Sequence, residues 1–444
     1  MTDLLCLDVG STFTKAVLVG PDGTVRGTAE TRTTGSTDVL DGCHALAERL
    51  GAGADTTTTL ACSSAGGGLR LAVVGYERQV TAEAGYRVGL SAGGKVVHVA
   101  SGRLDDASVR ALGRALPDLL LLVGGTDGGN ADVLRHNASR LARAALGVPI
   151  VLAGNVDAQH EVATLLRDAG QPVRVADNVV PEIGLIAPAS ARSAIRAMFL
   201  DHVIGGKGLS SSAAFREMIR APTPDAMLRG VDVTSEVLGT DLLVVDVGGA
   251  TTDVYSVVTP DDQDASMRTD VAGTLWHART VEGDLGVRWN AVEVVEAAAR
   301  ERVPVAAGLH RYATAVAADP AHLPADDEEV ALDLQLATIA ALVAVRRHAR
   351  PSTPGQSPRP LGDVGVVLGS GGVLRHATAE HGMRVLAAVT GDHAGGWRVP
   401  RSARTGVDVA YLLFAVGLLA DEHPDIARVV ATGLARSHML GGPE

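Results

Sequence analysis

The feature that most constrains this fold is a strand–turn–strand pattern that occurs twice. Residues 3–19 contain two apolar, β-prone runs joined by a glycine turn, DVGSTFTK at 8–15, and residues 241–258 repeat the pattern with DVGGATTD at 246–253. Each copy has an aspartate at the end of its first strand, then glycine, then threonine. Because duplicated architectures often place a ligand between their halves, the repeat predicts two related lobes that face one another.

The first hairpin carries groups suited to a phosphate site. Gly10 would let the backbone approach an anion closely. Ser11, Thr12 and Thr14 would add hydroxyl and amide donors. Lys15 would add a positive charge that we assign to phosphate binding, with a catalytic or merely solvated lysine as the alternatives. Taken alone, a Gly-Ser-Thr turn is more often only a hairpin turn. The presence of a second, similar hairpin favours the phosphate-binding interpretation over a plain hairpin turn.

The second hairpin repeats these groups with Asp246, Gly248, Gly249, Thr251 and Thr252. Asp246 corresponds to Asp8 of the first hairpin, because each ends an apolar strand beside a glycine turn. Two such hairpins could bind phosphates from both sides while the carboxylates hold hydrated Mg²⁺. Neither hairpin is a GxxxxGK[ST] phosphate loop.

A third glycine element follows later in the chain. The sequence LGSGGV at 368–373 comes after an apolar run and before a predicted helix start, so it could cover the base and ribose of a nucleotide. Its candidate residues are Gly369, Ser370, Gly371 and Gly372. A structural strand-to-helix turn explains such a loop equally well when it is considered alone.

Between the hairpins, strands alternate with helical segments, which predicts an inserted parallel, doubly wound sheet. The strand-like runs are VVHVA at 96–100, LLLLVG at 119–124, PIVLAG at 149–154 and PVRVA at 172–176. The expected fold class is therefore α/β, with duplicated lobes and an inserted α/β module. The expected domains are a first lobe at 1–75, the module at 76–180, a helical connector at 181–240 and a second lobe at 241–444.

Composition excludes several classes of function. The net charge of -12 argues against a nucleic-acid partner, which would need clustered Lys and Arg. The three cysteines and 14 histidines lack CxxC and HExxH spacings, so a zinc centre is not expected. No apolar run approaches the length of a membrane span, and the N-terminus lacks a signal-peptide pattern, so a cytoplasmic protein without a membrane partner is expected.

The three motifs, in this order, resemble the first phosphate, second phosphate and adenosine motifs of the superfamily that joins actin, the heat-shock chaperone ATPases and the sugar kinases. The resemblance implies an ATP site with Mg²⁺. Asp8 and Asp246 would be the catalytic and metal-binding residues, and either one could dominate catalysis. The two glycine turns would bind phosphates, and residues 369–372 would line the adenosine.

More closely, the whole chain resembles the glutamate mutase L family. This resemblance rests on both hairpins and on CSSAGGGLRLAVVG at 62–75, LLLVGGTDGGN at 120–130, VLAGN at 151–155 and VEGDLGVRWNA at 281–291. It implies an ATP-driven, chaperone-like factor that exchanges damaged cobalamin on subunits of an adenosylcobalamin-dependent mutase. The DxHxxG pattern of cobalamin-binding proteins is missing from the sequence.

Other functions remain open on the same motifs. A small-molecule kinase would use Asp246 or Asp253 as a base toward a substrate hydroxyl. An ATP-dependent amidohydrolase of the hydantoinase type, or a nucleotide-gated binding protein with little turnover, are further alternatives. The partner mutase, its effect on ATP hydrolysis, the role of the inserted module and the oligomeric state do not follow from the sequence.

Two further segments have two interpretations each. Asp127 and Asn130, in GGTDGGN, follow a predicted parallel strand, where open α/β sheets usually bind ligands, but Asx turns would also explain them. Glu282 and Asp284 are predicted to be acidic residues at the start of a helix, with a position beside the phosphates as the alternative.

Overall fold

The computed structural model describes residues 2–35, 37–53, 56–259, 276–351, 358–394, 399–400 and 402–438. The chain divides into two compact units, the first formed mainly by residues up to Arg229 and the second mainly by residues from Gly230 onward. The described residues form three five-stranded sheets, two in the first unit and one in the second.

The strands are β1 (Asp3–Val9), β2 (Phe13–Val19), β3 (Val25–Arg32), β4 (Thr57–Ser63), β5 (Leu69–Gly75), β6 (Gly94–Ser101), β7 (Leu119–Leu122), β8 (Ile150–Leu152), β9 (Val173–Val175), β10 (Ile219–Pro222), β11 (Leu242–Val247), β12 (Thr252–Val257), β13 (His277–Glu282), β14 (Val366–Ser370) and β15 (Arg404–Val407).

The helices are α1 (Val39–Arg49), α2 (Thr81–Ser91), α3 (Asp106–Arg114), α4 (Asp132–Ala144), α5 (Val156–Asp168), α6 (Pro188–Met198), α7 (Ala213–Met218), α8 (Thr223–Leu238), α9 (Ala291–Arg300), α10 (Leu309–Ala318), α11 (Asp327–Ala349), α12 (Gly372–Arg375), α13 (Ala379–Thr390), α14 (Leu413–Leu419) and α15 (Pro424–His438). Short helical turns also occur at Ala65–Gly67, Phe199–Val203 and Ile204–Lys207. Within the described ranges, every helix is too short or too polar to cross a membrane.

Two of the sheets have the same topology. The first has the order β10-β4-β1-β2-β3, and the sheet of the second unit has the order β15-β14-β11-β12-β13. In both, the first three strands form an antiparallel meander, and the later two run parallel to the first strand of that meander. The predicted duplication is therefore confirmed, strand by strand.

The third sheet has the order β6-β5-β7-β8-β9, and all its strands are parallel. Its strands lie between β4 and β10 in sequence, so the predicted inserted, doubly wound sheet is confirmed. This sheet begins with β5, which precedes residue 76, and β10 of the first sheet lies within residues 181–240. The bounds of the four expected domains remain predictions.

Each unit is built on aliphatic packing. In the second unit, α11 supplies buried residues along most of its 23-residue length and packs on β11 and β12. Its start is fixed by Asp326, whose side chain accepts a hydrogen bond from the Glu329 amide at 2.9 Å. Acidic residues fill its first turn and basic residues its last turn, as the helix dipole favours.

Candidate functional site

Asp8, near the end of β1, has a carboxylate buried among three side chains. Its Oδ1 accepts a 2.6 Å hydrogen bond from the Thr223 hydroxyl, and its Oδ2 lies 3.6 Å from Lys15 Nζ. The Cys62 thiol lies 3.7 Å from Oδ1. Because β1, β4 and β10 are parallel neighbours, their carboxyl ends bring Asp8, Cys62 and Thr223 to one edge of the sheet. No sequence motif indicated Thr223.

The turn of the first hairpin needs glycine for a steric reason. Gly10 N donates to Phe13 O at 3.1 Å, and a Cβ at Gly10 would lie 2.6 Å from that carbonyl oxygen. Thr33, just after β3, holds the turn from its other side. Its hydroxyl donates to Gly10 O at 2.8 Å and its amide donates to Thr12 O at 2.9 Å.

The remaining predicted residues of this hairpin differ in exposure. Ser11 is exposed, and its hydroxyl donates to Ser64 O at 3.1 Å, in the loop after β4. Thr14 is completely buried, and its hydroxyl lies 3.0 Å from the Thr33 hydroxyl. The structure therefore gives Thr14 a partner inside the protein, and its predicted contact with phosphate stays a prediction.

The second hairpin repeats the turn of the first. Gly248 N donates to Thr251 O at 2.9 Å, and a Cβ at Gly248 would lie 2.8 Å from the same oxygen. Asp246 pairs with Asp253 across the hairpin, as Asp8 pairs with Lys15 in the first. Thr252 is completely buried and its hydroxyl donates to Leu285 O at 2.7 Å.

Asp253 is held in a buried ion pair. Its Oδ1 accepts hydrogen bonds from Arg279 Nε at 2.9 Å and Nη2 at 2.6 Å, and its Oδ2 accepts one from the Thr251 hydroxyl at 3.1 Å. The Arg279 guanidinium also lies over the Tyr255 ring. Burial, together with the charge of Asp253, raises the pKa of Tyr255 well above its usual value, so this phenol stays neutral.

The segment after β13 does not start a helix, which corrects the interpretation of Glu282 and Asp284 as helix-start acids. Glu282 ends β13, Asp284 lies in a turn, and α9 begins only at Ala291. Both carboxylates bind Arg347 of α11, at 2.8 Å and 2.6 Å. Burial raises the pKa of Glu282, whereas the hydrogen bond from Arg347 lowers the pKa of Asp284.

The third motif packs on the end of β11. Asp246 and Ser370 are register partners of the parallel strands β11 and β14. Gly371 has φ +92°, and a Cβ there would lie 2.1 Å from Val247 O and 2.8 Å from Asp246 Oδ1. Packing alone therefore requires glycine at position 371, as the structural-turn alternative expects.

The other residues of this motif are not explained in the same way. A Cβ at Gly369 would lie 2.9 Å from Leu374 Cδ1, which is again internal packing. Ser370 Oγ is buried and has no hydrogen-bond partner among the described residues. Gly372 is exposed, and a Cβ there would meet nothing within 4 Å. The Ser370 hydroxyl could therefore bond to a ligand, and the space beside Gly372 could hold one.

Asp127 and Asn130, the ligand candidates of the inserted sheet, hold their own loop together. Asp127 Oδ1 accepts from Val156 N at 3.0 Å and from Asn178 Nδ2 at 2.8 Å. Asn130 Oδ1 accepts from Asp132 N at 2.7 Å. Of the two interpretations of this segment, the structure favours the internally bonded loop.

Comparisons with known proteins agree with the motifs. A model of the family described as MutL protein matches residues 4–433. A curated relative, Protein MutL of Clostridium tetanomorphum, is 34% identical over 462 residues, covering 96% of this chain and 98% of the relative.

The solved structures that match this chain have low sequence identity and low TM-scores. Nucleotide-free acetone carboxylase is 14% identical, covers 94% of this chain and 70% of its own, and has a TM-score of 0.40. The activator of the 2-hydroxyisocaproyl-CoA dehydratase from Clostridium difficile, with bound ADPNP, is 10% identical, with 98% and 96% coverage and a TM-score of 0.34. An ATP-dependent caprolactamase from Pseudomonas jessenii is 13% identical, with 99% and 77% coverage and a TM-score of 0.38.

These structural scores do not distinguish one activity from another. The family match is of a different kind, because it extends over almost the whole chain and over almost the whole length of the curated relative. It confirms the resemblance drawn from the motifs. The chain belongs to the MutL protein family.

Proposed function

We propose that this protein binds and hydrolyses ATP with Mg²⁺ and acts as a chaperone-like reactivating factor in the cytoplasm. Its partner would be an adenosylcobalamin-dependent mutase of the glutamate mutase type, on which it promotes the exchange of damaged cobalamin. The observation that carries the proposal is the pair of matched glycine hairpins, Gly10–Phe13 and Gly248–Thr251, on two sheets of identical topology in a member of this family.

Backbone amides of the two turns suit phosphate groups. In the first turn the amides of Ser11 and Thr12, and in the second those of Gly249 and Ala250, donate to no acceptor within the part of the chain that the structure describes. Consecutive turn amides of this kind form concavities that bind anions. Acidic residues outnumber basic ones, 51 to 39, so backbone donors would help to offset the negative charge of a nucleotide.

The carboxylates at the strand ends suit a divalent cation. Mg²⁺ prefers oxygen ligands and is usually bound by one or two carboxylates together with waters and substrate phosphates. Asp8 and Asp246 are each proposed as a ligand for Mg²⁺, which when bound would neutralise charge on the phosphates. Lys15 balances the charge of the buried Asp8 carboxylate, and Thr223 fixes its orientation.

The adenosine would lie at the third motif. The buried Ser370 hydroxyl lacks a partner among the described residues, and the adjoining Gly372 leaves open space, so both fit a ligand that supplies a hydrogen bond and occupies volume. Gly369 and Gly371 would shape the turn without touching the ligand.

The kinase alternative is weakened by the surroundings of Asp253. A general base must have a free lone pair aimed at the substrate proton. The Asp253 carboxylate instead binds Arg279 through two hydrogen bonds and Thr251 through a third. These three bonds occupy most of the roughly four acceptor positions of a carboxylate, so Asp253 is poorly placed to take up a substrate proton.

The test is ATP hydrolysis by the purified protein with and without Mg²⁺, an inactivated adenosylcobalamin mutase and fresh cofactor. We expect slow Mg²⁺-dependent turnover by the protein alone, and recovery of mutase activity only when ATP is present. Turnover that needs a small acceptor molecule would indicate a kinase. Turnover with no recovery of any such mutase would contradict the reactivating role, and absence of ATP binding would overturn the whole proposal.

A further inference from the structure

A single segment after β13 binds three successive carbonyls of the second turn. The turn carbonyls belong to Gly248, Gly249 and Ala250, and the donors all lie within residues 287–290. The bonds are Val287 N to Gly248 O at 3.1 Å, Arg288 N and Trp289 N to Gly249 O at 2.9 Å each, and Asn290 Nδ2 to Ala250 O at 2.7 Å.

These hydrogen bonds also set the direction of the backbone amides of the turn. A trans peptide group is planar, so the carbonyl of one residue and the N–H of the next point in opposite directions. Holding the three carbonyls on one side therefore directs the N–H groups of Gly249, Ala250 and Thr251 to the other side. None of these three amides donates to an acceptor among the residues that the structure describes.

The segment is itself held firmly against the turn. At Gly286 a Cβ would lie 2.3 Å from the carbonyl carbon of Ala250, so only glycine permits this approach. Arg288 forms a bidentate ion pair with Asp333 of α11, with distances of 2.6 Å and 3.0 Å. Asn290 Nδ2 also donates to Gly283 O at 3.0 Å, which ties the two ends of the segment together.

We infer that residues 283–290 form a positioning element that presents three successive backbone amides to one phosphate group, with Asn290 as its positioning residue. The inference deepens the proposed function and rests on it for the identity of the anion as a nucleotide phosphate. The first hairpin has a smaller counterpart, because Thr33 also follows the third strand of its meander and binds two turn carbonyls.

The first test uses the protein without nucleotide. In Asn290→Ala the turn loses its side-chain anchor, so hydrogen exchange measured by mass spectrometry should become about tenfold faster at the amides of Val287, Arg288 and Trp289. Asn290→Asp keeps the size of the side chain but replaces the donor by an acceptor, so it should have at least the same effect. The matched control is Asn155→Ala, which removes a side-chain hydrogen bond to Gly129 O in an unrelated glycine loop, together with the bond that Asn155 Oδ1 accepts from Asp157 N.

The second test measures binding of ATP and of inorganic tripolyphosphate by calorimetry. We expect both dissociation constants to rise about tenfold in Asn290→Ala and to stay unchanged in Asn155→Ala. Faster exchange with unchanged anion affinity, or unchanged exchange, would overturn the inference. Should Asn290→Ala fail to fold, the isosteric Asn290→Asp decides both measurements.

The wild-type protein separates this inference from the proposed function. Wild type that binds ATP, with variants that bind it equally well, would refute the positioning element and leave the ATP site standing. Wild type that binds tripolyphosphate but not ATP, with weakened variants, would support the element and refute the nucleotide proposal. Binding of neither would refute both.

Discussion

The Thr223 hydroxyl donates a 2.6 Å hydrogen bond to Asp8 Oδ1, although the two residues are 215 positions apart in sequence. Thr223 is the first residue of α8, so the orientation of a proposed metal-binding carboxylate depends on where that helix begins. Lys15 approaches the other carboxylate oxygen. Each oxygen of Asp8 therefore has its own partner.

We expect Thr223→Val to destabilise the protein by about 1–3 kcal/mol, because it leaves a buried carboxylate oxygen without this donor. Thr223→Ser retains the hydroxyl and should lose much less. Urea unfolding of both variants measures the difference. Equal stability of the two would mean that the hydrogen bond does not hold Asp8.

The two aspartates of the second hairpin should respond differently to neutral substitution. Asp246→Ala should abolish Mg²⁺-dependent ATP turnover while the protein stays folded. Asp253→Asn should instead cost about 3–5 kcal/mol of folding stability, because it removes the negative charge that pairs with the buried Arg279. Turnover assays with circular dichroism melting compare them, and undiminished turnover of Asp246→Ala would remove that residue from the site.

Substitutions at two glycines of the third motif should have different effects, one on folding and the other on ligand binding. Gly371→Val should destabilise the protein regardless of ligand, because its Cβ would collide with Val247 O. Gly372→Val should fold normally, since its Cβ meets open space, yet bind ATP more weakly by about tenfold if adenosine lies there. Tripolyphosphate binding is the control and should be unaffected. Unchanged ATP affinity in Gly372→Val would reduce the motif to a structural turn.

Stability should fall in mild acid because of His348, which is completely buried. Its ring nitrogens lie 2.9 Å from the Thr280 hydroxyl and 2.8 Å from the Ser256 hydroxyl. Burial, and secondly the charge of Arg359, lowers the pKa of His348 well below its usual value of 6.5. Below about pH 6.5 the unfolded chain therefore binds a proton that the folded protein does not, so the free energy of unfolding decreases as pH falls.

His348→Gln lacks this titration. Between pH 6 and 5 the stability of the wild type relative to the variant should drop by about 1.4 kcal/mol per pH unit. Urea unfolding at pH 7.5, 6.0 and 5.0 measures this difference. Parallel pH profiles for the two proteins would show that His348 is not the group responsible.

The duplicated hairpins and the parallel sheet could be predicted from sequence because they are local. A strand period of two residues, a glycine turn and strands that alternate with helices are all visible within short windows. The structure extends the predicted duplication to whole sheets, since both sheets have the same order of strands. Local patterns cannot show which distant side chains complete a site.

The residues that sequence reasoning missed all come from distant segments. Thr33 and Thr223 hold the first hairpin, and Arg279 pairs with Asp253, yet none of them belongs to a recognisable motif. The acids at 282–284 were predicted to start a helix because helix starts favour acids. The carboxylates of Glu282 and Asp284 instead bind Arg347, and the helix begins only at Ala291.

Trp289 gives this protein an optical reporter at the second hairpin. Its backbone amide binds Gly249 O, while its side chain is 62% exposed. The chain has only three tryptophans, of which Trp276 is partly buried and Trp397 lies outside the described residues. The difference in fluorescence between the wild type and Trp289→Phe therefore isolates the emission of one indole. A ligand that binds at the turn changes the solvent around that indole. Ligand binding at the second hairpin can therefore be followed in real time by fluorescence, without a label.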